Sequence, residues 1–262
     1  MENKNHNMSQ YSADNSRFAK RNPINYSQYS QYANFQTQNM SKFADAIAAK
    51  SKQKSWVYWV SQCPKAFQQA EIGSLSKYDE KASKSLDLAV ERSKYAEKPV
   101  SLIVYSTPYE DNTGRIVYPK GKTWAVYSYI RALYEQNVIS EPLHEVFYTS
   151  ESEILDNLLQ WSSKDKRSWL YDKAFDSGMK IVVVDNINGN AGRLKRKYRL
   201  DAWESFQQAA ILHPEISYVF AFAGDAQDPS LAPIIAMFKT FLDPDSLIRV
   251  ELKRGIETEG QE

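Results

Sequence analysis

The residues best suited to chemistry are a Gly-Lys-Thr triplet and an aspartate that ends a very hydrophobic run. Gly121, Lys122 and Thr123 stand directly before a predicted helix and form the second half of the phosphate-binding pattern G-x-x-x-x-G-K-[ST]. Backbone N–H groups at the helix start and the Lys122 ammonium would hold phosphates, and the Thr123 hydroxyl would ligate Mg²⁺. The cofactors predicted from this triplet are therefore ATP and Mg²⁺.

Asp185 supplies the carboxylate that such a site needs. It follows the run Val182–Val184, so it would lie at the carboxyl end of a strand, where a Walker B carboxylate holds the metal ion. We therefore predict Thr123 and Asp185 as metal ligands. A Gly-Lys-Thr triplet alone is a weak signal, and the strand before it, the helix after it and Asp185 give it weight. The alternative for Asp185 is a cap at the end of the strand.

Alternating strands and helices would position these groups. Short apolar runs indicate strands at 100–105, 145–148, 180–184, 218–223 and 247–252. Apolar patterning indicates helices at 81–96, 123–136, 201–212 and 230–241. Ser150 and Glu153 have the spacing of a capping box at the start of a further helix. This alternation predicts an α/β fold with a parallel sheet and helices on both faces.

Residues 1–41 differ in composition from the rest of the chain. They are mostly Asn, Ser, Gln and Tyr and contain no aliphatic run. We predict a disordered polar arm, because such a segment cannot bury enough apolar surface to offset its ordering entropy. Tyr26, Tyr29, Tyr32 and Phe35 recur in it every three residues. They could stack on single-stranded bases, form a helix face that orders on a partner, or belong to a low-complexity linker.

Residues 42–61 are predicted to be a short helix followed by an aromatic linker. The apolar cluster Trp56–Val60 in this linker would dock on its own domain or on another protein. Residues 1–61 carry eight Lys or Arg against three Asp or Glu, whereas the whole chain has a net charge of +1. A basic arm of this kind binds nucleic acid or a partner, or it is a solubilising tail.

A second basic segment lies beyond the strand that ends in Asp185. Within Gly192–Arg199 it contains Arg193, Lys195, Arg196, Lys197 and Arg199. Contacts to the phosphates of a nucleic acid need such a cluster, so these five side chains are the candidates for binding single-stranded DNA. A solvated loop is the alternative.

Several segments in this order resemble the DnaC/IstB-type loader ATPases. They are Cys63–Phe67, the helix through Leu88–Val90, the strand Ser101–Tyr105, Val146–Thr149, Val182–Asp185 and the closing strand Ile248–Leu252. The resemblance covers about residues 62–255 and implies an AAA+-like P-loop NTPase domain over residues 62–262. Similar loaders line a single-strand groove beyond the Walker B strand. The partners that the resemblance implies are a replicative helicase and single-stranded DNA, with a homo-oligomer as a further option.

Three features depart from that family. About ten extra residues, Tyr109–Tyr118, would form a hairpin turning at Asn112–Gly114 or would distort the phosphate-binding loop. Asn186 stands where the family has Asp or Glu. An amide cannot accept the proton of the attacking water, so we place Asp185 and Asn186 at the catalytic position and expect slow or absent hydrolysis. The helix at 230–241 lacks the family's trans-acting arginine, and Lys239 has no planar fork.

Composition narrows the class of protein further. Cys63 is the single cysteine, so we expect no internal disulfide and a reducing compartment. The sequence shows neither a signal peptide nor an apolar run long enough for a membrane span. We expect a cytoplasmic protein without membrane contact. The histidines at 6, 144 and 213 are too scattered to suggest a metal site.

The leading hypothesis is a helicase-loader-like AAA+ protein of a phage or mobile element. It would bind nucleotide and single-stranded DNA and would deliver or regulate a replicative helicase. The alternative is a nucleotide-independent adaptor that keeps the fold and has lost its ATPase chemistry, as the insertion at 109–118 and Asn186 favour. A P-loop kinase acting on a small substrate is disfavoured, because no Arg-rich segment like a kinase lid is evident.

Overall fold

The structure, a computed structural model, describes residues 26–159, 173–176, 178–188, 196–225 and 228–253. By its internal contacts the chain divides into two units, Met1–Ser51 and Lys52–Glu262. Helix α1 (Tyr26–Gln62) is 37 residues long. It begins in the first unit and ends in the second.

Helix α1 is longer than the short helix that the sequence predicted. It takes in residues 26–41, which were expected to be disordered, while residues 1–25 of that arm lie outside the described residues. Between Pro23 and Pro64 the chain has neither Pro nor Gly, the two residues that most disfavour a helix interior. The polar composition of the segment limits what it can bury, but it does not prevent the backbone from being helical.

The second unit is built on strands at the positions predicted. In chain order the described strands are β1 (Ser101–Ser106), β2 (Tyr109–Glu110), β3 (Ile116–Val117), β4 (Val146–Ser150), β5 (Ile181–Ile187), β6 (Ser217–Asp225) and β7 (Leu247–Leu252). Five of them form one parallel sheet in the order β4-β5-β6-β1-β7. The carboxyl ends of β1, β4 and β5 therefore meet at one edge of the sheet, although they are distant in the sequence.

After α1, two α-helices precede β1, and others lie between successive strands. The described helices after α1 include α2 (Ile72–Leu75), α3 (Glu80–Tyr95), α4 (Lys122–Glu135), α5 (Pro142–Glu145), α6 (Glu151–Leu159), α7 (Arg196–Leu212) and α8 (Ala232–Phe238). The predicted cap of α6 is confirmed, because the backbone N–H of Glu153 donates to Ser150 Oγ at 3.2 Å. Among the described residues no helix is long and apolar enough to cross a membrane.

The sheet carries a separate core on each face. Successive side chains of a strand point to opposite faces. In β5, Ile181 and Val183 pack on the side of α3 and α4, whereas Val182 and Val184 pack on the side of α7 with Trp203. All five side chains are buried. The predicted α/β fold, with a parallel sheet and helices on both faces, is confirmed.

The aromatic end of α1 has one buried side and one exposed side. Trp59 is buried in the core, and the Trp56 ring stacks on that of Tyr134 with centroids 4.5 Å apart. Val57 and Tyr58 keep 60% and 57% of their surface exposed. The sequence left open whether this cluster docks on its own domain or on another protein. The two tryptophans pack on their own domain. Among the described residues, Val57 and Tyr58 on the other side of the helix remain exposed.

Candidate functional site

The insertion at 109–118 forms a hairpin, which was one of its two predicted alternatives. Strands β2 and β3 pair antiparallel, with Tyr109 opposite Val117. The Asp111 carboxylate closes the turn by accepting hydrogen bonds from the backbone N–H groups of Thr113 (2.8 Å) and Arg115 (3.0 Å). Gly114 takes a positive φ of 77°, which a residue without Cβ adopts at little cost. The extra residues thus project as an ordered element between β1 and α4.

The predicted phosphate-binding triplet lies at the start of α4. Gly121 precedes the helix with a φ of 111°, a conformation that a side chain would strain. The Lys122 ammonium donates to Ser106 Oγ at 2.9 Å and to the carbonyl of Pro119 at 2.7 Å. It therefore spans from the loop to the carboxyl end of β1. Burial lowers the pKa of the Lys122 ammonium, and the charge of Asp185 opposes that shift.

Thr123 and Asp185 meet across the sheet edge as predicted. The Thr123 hydroxyl donates to Asp185 Oδ2 at 2.8 Å, although the two residues lie on α4 and β5. The second oxygen, Oδ1, accepts the backbone N–H of Asn186 at 2.6 Å. Asp185 is 8% exposed, so the carboxylate is held in a largely desolvated position. The sheet brings together the hydroxyl and carboxylate that were assigned to a metal ion from sequence alone.

Tyr148 completes this arrangement and was not predicted. It lies on β4, the neighbour of β5, and its phenol donates to Asp185 Oδ2 at 2.5 Å. Its ring stacks on that of Tyr127 with centroids 5.0 Å apart. Burial and the charge of Asp185 raise the pKa of the Tyr148 phenol, so it stays a donor. In the sequence this tyrosine is indistinguishable from an aromatic core residue of a strand.

These groups are suited to a magnesium nucleotide. Mg²⁺ prefers hard oxygen ligands such as carboxylates and hydroxyls and usually takes only one or two from the protein. Thr123 Oγ1 and Asp185 Oδ2 are two such oxygens held 2.8 Å apart. The Lys122 ammonium and the start of a 14-residue helix supply positive charge beside them.

Asn186 sits where the backbone itself favours an asparagine. Its φ is 56°, in the left-handed region that Asn enters more readily than other residues with a side chain. The pairing of β5 with β6 shifts register between Val184 and Ile187, so Asn186 lies in an irregular part of the strand. Its side chain is exposed. The local geometry thus gives a structural reason for an amide residue directly after Asp185.

The structure corrects the assignment of Arg199 to a DNA surface. Arg199 is 5% exposed and binds the carboxylate of Glu151 with two nitrogens, Nε at 2.7 Å and Nη2 at 3.1 Å. The same carboxylate accepts the indole N–H of Trp203 at 2.8 Å and the backbone N–H of Asn188 at 2.8 Å. A run of basic letters does not show which of its members face the core, and α7 turns this one inward.

The other basic candidates remain predictions. Arg193 and Lys195 lie outside the described residues. Arg196 and Lys197 begin α7. Lys239, considered in place of a trans-acting arginine, caps the carboxyl end of α8.

Comparison with known proteins gives distant structural likeness only. No family model and no curated protein sequence matches the chain. A crystal structure of the DnaC helicase loader is similar with a TM-score of 0.43 and 11% identity, over 72% of this chain and 100% of that one. Domain III of the Thermotoga maritima replication initiation protein DnaA is similar with a TM-score of 0.40 and 14% identity, over 67% of this chain and 63% of that one. Both scores are low, so neither likeness assigns a family or a function.

Proposed function

We propose that this chain is a P-loop protein that binds ATP with Mg²⁺ at Gly121, Lys122, Thr123 and Asp185. The observation that carries the proposal is the 2.8 Å contact between the Thr123 hydroxyl and the Asp185 carboxylate beside the first turn of α4. Lys122 would exchange its bonds to Ser106 and Pro119 for phosphate oxygens. Thr123 and Asp185 would hold the metal ion, which neutralises charge on the phosphates. Gly121 lets the loop backbone turn into the helix.

We further propose that turnover is slow. The residue after Asp185 is an exposed amide, so it can orient a water molecule but cannot take its proton. Replacing Asn186 with Asp should raise ATP turnover if the rest of the site is intact. Aspartate is the variant of choice, because a left-handed backbone tolerates Asp better than Glu. A wild-type rate in the ordinary range of enzymes, about 1 s⁻¹ or more, would contradict the proposed role of Asn186.

The finer proposal is a helicase-loader-like role in the cytoplasm. Its support is the resemblance over residues 62–255 and the basic residues before and at the start of α7: Arg193, Lys195, Arg196 and Lys197. Arg199 is removed from that set, because it is committed to Glu151. The exposed pair Val57 and Tyr58 offers an apolar contact for a partner such as a replicative helicase.

The deciding experiment is the titration of a fluorescent ATP analogue in the presence of Mg²⁺. We expect Lys122→Ala to abolish binding, because its ammonium is the charged group at the helix start. Lys120→Ala is the matched control, since Lys120 is exposed two residues earlier. Equal binding by the wild type and Lys122→Ala would contradict the assignment.

The second candidate is a nucleotide-independent adaptor with the same fold. One observation favours it: the polar groups of the site are bonded to one another. Lys122 is held by Ser106 and Pro119, and two hydroxyls already share Asp185 Oδ2. Wild-type protein that binds single-stranded DNA or a helicase, but no ATP analogue at millimolar concentration, would establish this candidate in place of the first.

A further inference from the structure

The hairpin formed by β2 and β3 carries exposed apolar side chains and leads directly into the phosphate-binding triplet. Tyr109, Ile116 and Tyr118 keep 47%, 67% and 46% of their surface exposed. Among the described residues, none of the three belongs to either core of the second unit. Exposed apolar side chains grouped on one short element are a candidate contact surface. The insertion therefore offers a ligand something to pack on.

The two tyrosines of the hairpin lie on opposite faces of it. Tyr109 is directly opposite Val117 in the antiparallel pair, so these two side chains share one face. Successive side chains of a strand alternate between faces, so Ile116 and Tyr118, on either side of Val117, share the other face. Two rings of nearly equal exposure thus point away from each other.

Tyr118 is the nearer of the two to the candidate phosphate site. The Lys122 ammonium donates to the carbonyl of Pro119 at 2.7 Å, and Pro119 directly follows Tyr118. Since consecutive Cα atoms are about 3.8 Å apart, the Tyr118 Cα lies within about 9 Å of the ammonium nitrogen. Tyr109 is linked to the same nitrogen only through Ser106, three residues earlier, which permits about 16 Å.

The backbone at Tyr118 is restrained before any ligand binds. A proline disfavours helical backbone in the residue before it, and Pro119 is itself buried. A tyrosine ring has only two side-chain torsions to fix. An exposed ring on such a backbone loses little conformational freedom when a flat group stacks on it, so less of the stacking free energy is lost to ordering.

We propose that Tyr118 stacks on the base of the nucleoside triphosphate whose phosphates bind at Gly121–Thr123. This inference rests on the proposed nucleotide site and adds the recognition of the base to it. The phosphates take the positive charge of Lys122 and the helix start, and the base takes the apolar face of Tyr118 and Ile116. Stacking uses the π face that every base has, so Tyr118 adds affinity for a base without choosing among bases.

The test is a calorimetric titration of the full chain, in the presence of Mg²⁺, with ATP and with inorganic tripolyphosphate, which has the phosphates without the base. Tyr118→Ala should weaken ATP binding about tenfold, the effect of losing one stacked ring, and leave tripolyphosphate binding unchanged. Tyr118→Phe keeps the ring and should bind ATP as the wild type does. Unchanged ATP affinity in Tyr118→Ala, or an equal loss for both ligands, would overturn the proposal.

Tyr109→Ala is the matched control. It removes the same type of side chain, with nearly the same exposure, from the other face of the same hairpin. Its ATP affinity should equal that of the wild type. A loss of affinity in Tyr109→Ala without one in Tyr118→Ala would place the base on the opposite face and contradict the assignment.

A spectroscopic readout separates stacking from a structural role of the side chain. The triphosphate of 2-aminopurine riboside is fluorescent, and stacking of its base on an aromatic ring quenches it. At saturating protein its emission should be quenched by the wild type and by Tyr118→Phe, and should stay high when it is bound to Tyr118→Ala. Equal quenching by all three proteins would show that the base does not stack on Tyr118.

Single-stranded DNA also presents bases, so an oligonucleotide is titrated in parallel. Weaker oligonucleotide binding by Tyr118→Ala, with ATP binding unchanged, would assign the ring to DNA and overturn the proposal. Failure of the nucleotide site looks different. If the wild type binds neither ATP nor tripolyphosphate, the site and this inference fail together, whereas binding of both that Tyr118→Ala leaves unchanged refutes the inference alone.

Discussion

Two carboxylates at the same edge of the sheet are used in different ways. Glu151 follows β4 and is 3% exposed, with a guanidinium, an indole and a backbone amide as donors. Asp185 lies near the carboxyl end of β5 and is held by two hydroxyls and one backbone amide. The charge of Glu151 is neutralised inside the protein by Arg199. No described cation binds Asp185 directly, so its charge remains available to a ligand.

This difference indicates which of the two carboxylates can exchange its present partners for a ligand. A bidentate ion pair buried on both sides cannot release either partner without leaving an uncompensated charge. Hydroxyl donors are neutral, and they can rotate from the carboxylate to another acceptor or receive a metal ion beside it. We therefore regard the Glu151 network as a structural brace and the Asp185 cluster as the part of this edge suited to binding.

The largest expected effect is on stability and comes from removing the Glu151 carboxylate. Glu151→Ala leaves Arg199 buried without its counter-ion, and we expect a loss of about 3–5 kcal/mol in the free energy of unfolding, measured by urea denaturation. Glu80→Ala, which removes an exposed glutamate paired with Lys84, should leave stability unchanged. If Glu151→Ala unfolds at the same urea concentration as Glu80→Ala, the Glu151 network is not a brace.

A smaller effect on stability, with a larger effect on binding, is expected at Asp185. Asp185→Asn keeps an oxygen for its donors, so unfolding should change by about 1 kcal/mol. Binding of the ATP analogue should lose its dependence on Mg²⁺, because a neutral amide is a poor ligand for a hard cation. The measurement is the affinity with Mg²⁺ and with excess chelator, and Asp156→Asn is the control. A Mg²⁺ dependence equal to that of the wild type would place the metal elsewhere.

The sequence was a good guide to Lys122, Thr123 and Asp185 for a physical reason. The carboxyl ends of parallel strands share one edge of a sheet, so a loop after one strand and an aspartate ending another are brought together by topology alone. It was a poor guide to Arg199 and Tyr148. Which way a helical residue faces depends on packing around it, and a strand tyrosine shows its partner only when the register is known.

Helix α1 shows a different limit of sequence reasoning. Low apolar content predicted disorder, because the segment can bury too little apolar surface to offset its ordering entropy. The absence of Pro and Gly over Tyr26–Gln62 concerns the backbone and permits a continuous helix. The two properties are independent, and composition alone does not decide between them for a segment of this kind.

A moderate effect should follow from Tyr148→Phe. The phenol occupies the same oxygen of Asp185 that faces Thr123, so its removal frees that oxygen for Mg²⁺. We expect the affinity for the magnesium complex of the ATP analogue to rise about threefold, within the range of one net hydrogen bond. Tyr218→Phe removes a buried hydroxyl that contacts the carbonyls of Ala210 and His213 and should not affect binding. A fall in affinity for Tyr148→Phe would mean that the phenol positions Asp185 for the metal.

The smallest expected effect is a pH dependence of stability and of nucleotide binding that depends on the charge of Lys122. The folded-state pKa of Lys122 is lowered by burial, so within the window between that pKa and the ordinary lysine value the unfolded chain binds more protons than the folded one. Stability should therefore rise with pH across this alkaline window. Binding of the ATP analogue should fall across the same window, because the ammonium that holds phosphate is lost.

Fluorescence titrations and urea denaturation at matched alkaline pH values test both directions together. Lys122→Arg is the control, since a guanidinium keeps its charge throughout this range. Its residual binding should therefore not fall, and its stability should not show the rise. Wild-type binding that is constant across the window, while Lys122→Arg behaves identically, would show that the charge of Lys122 does not contribute to nucleotide affinity.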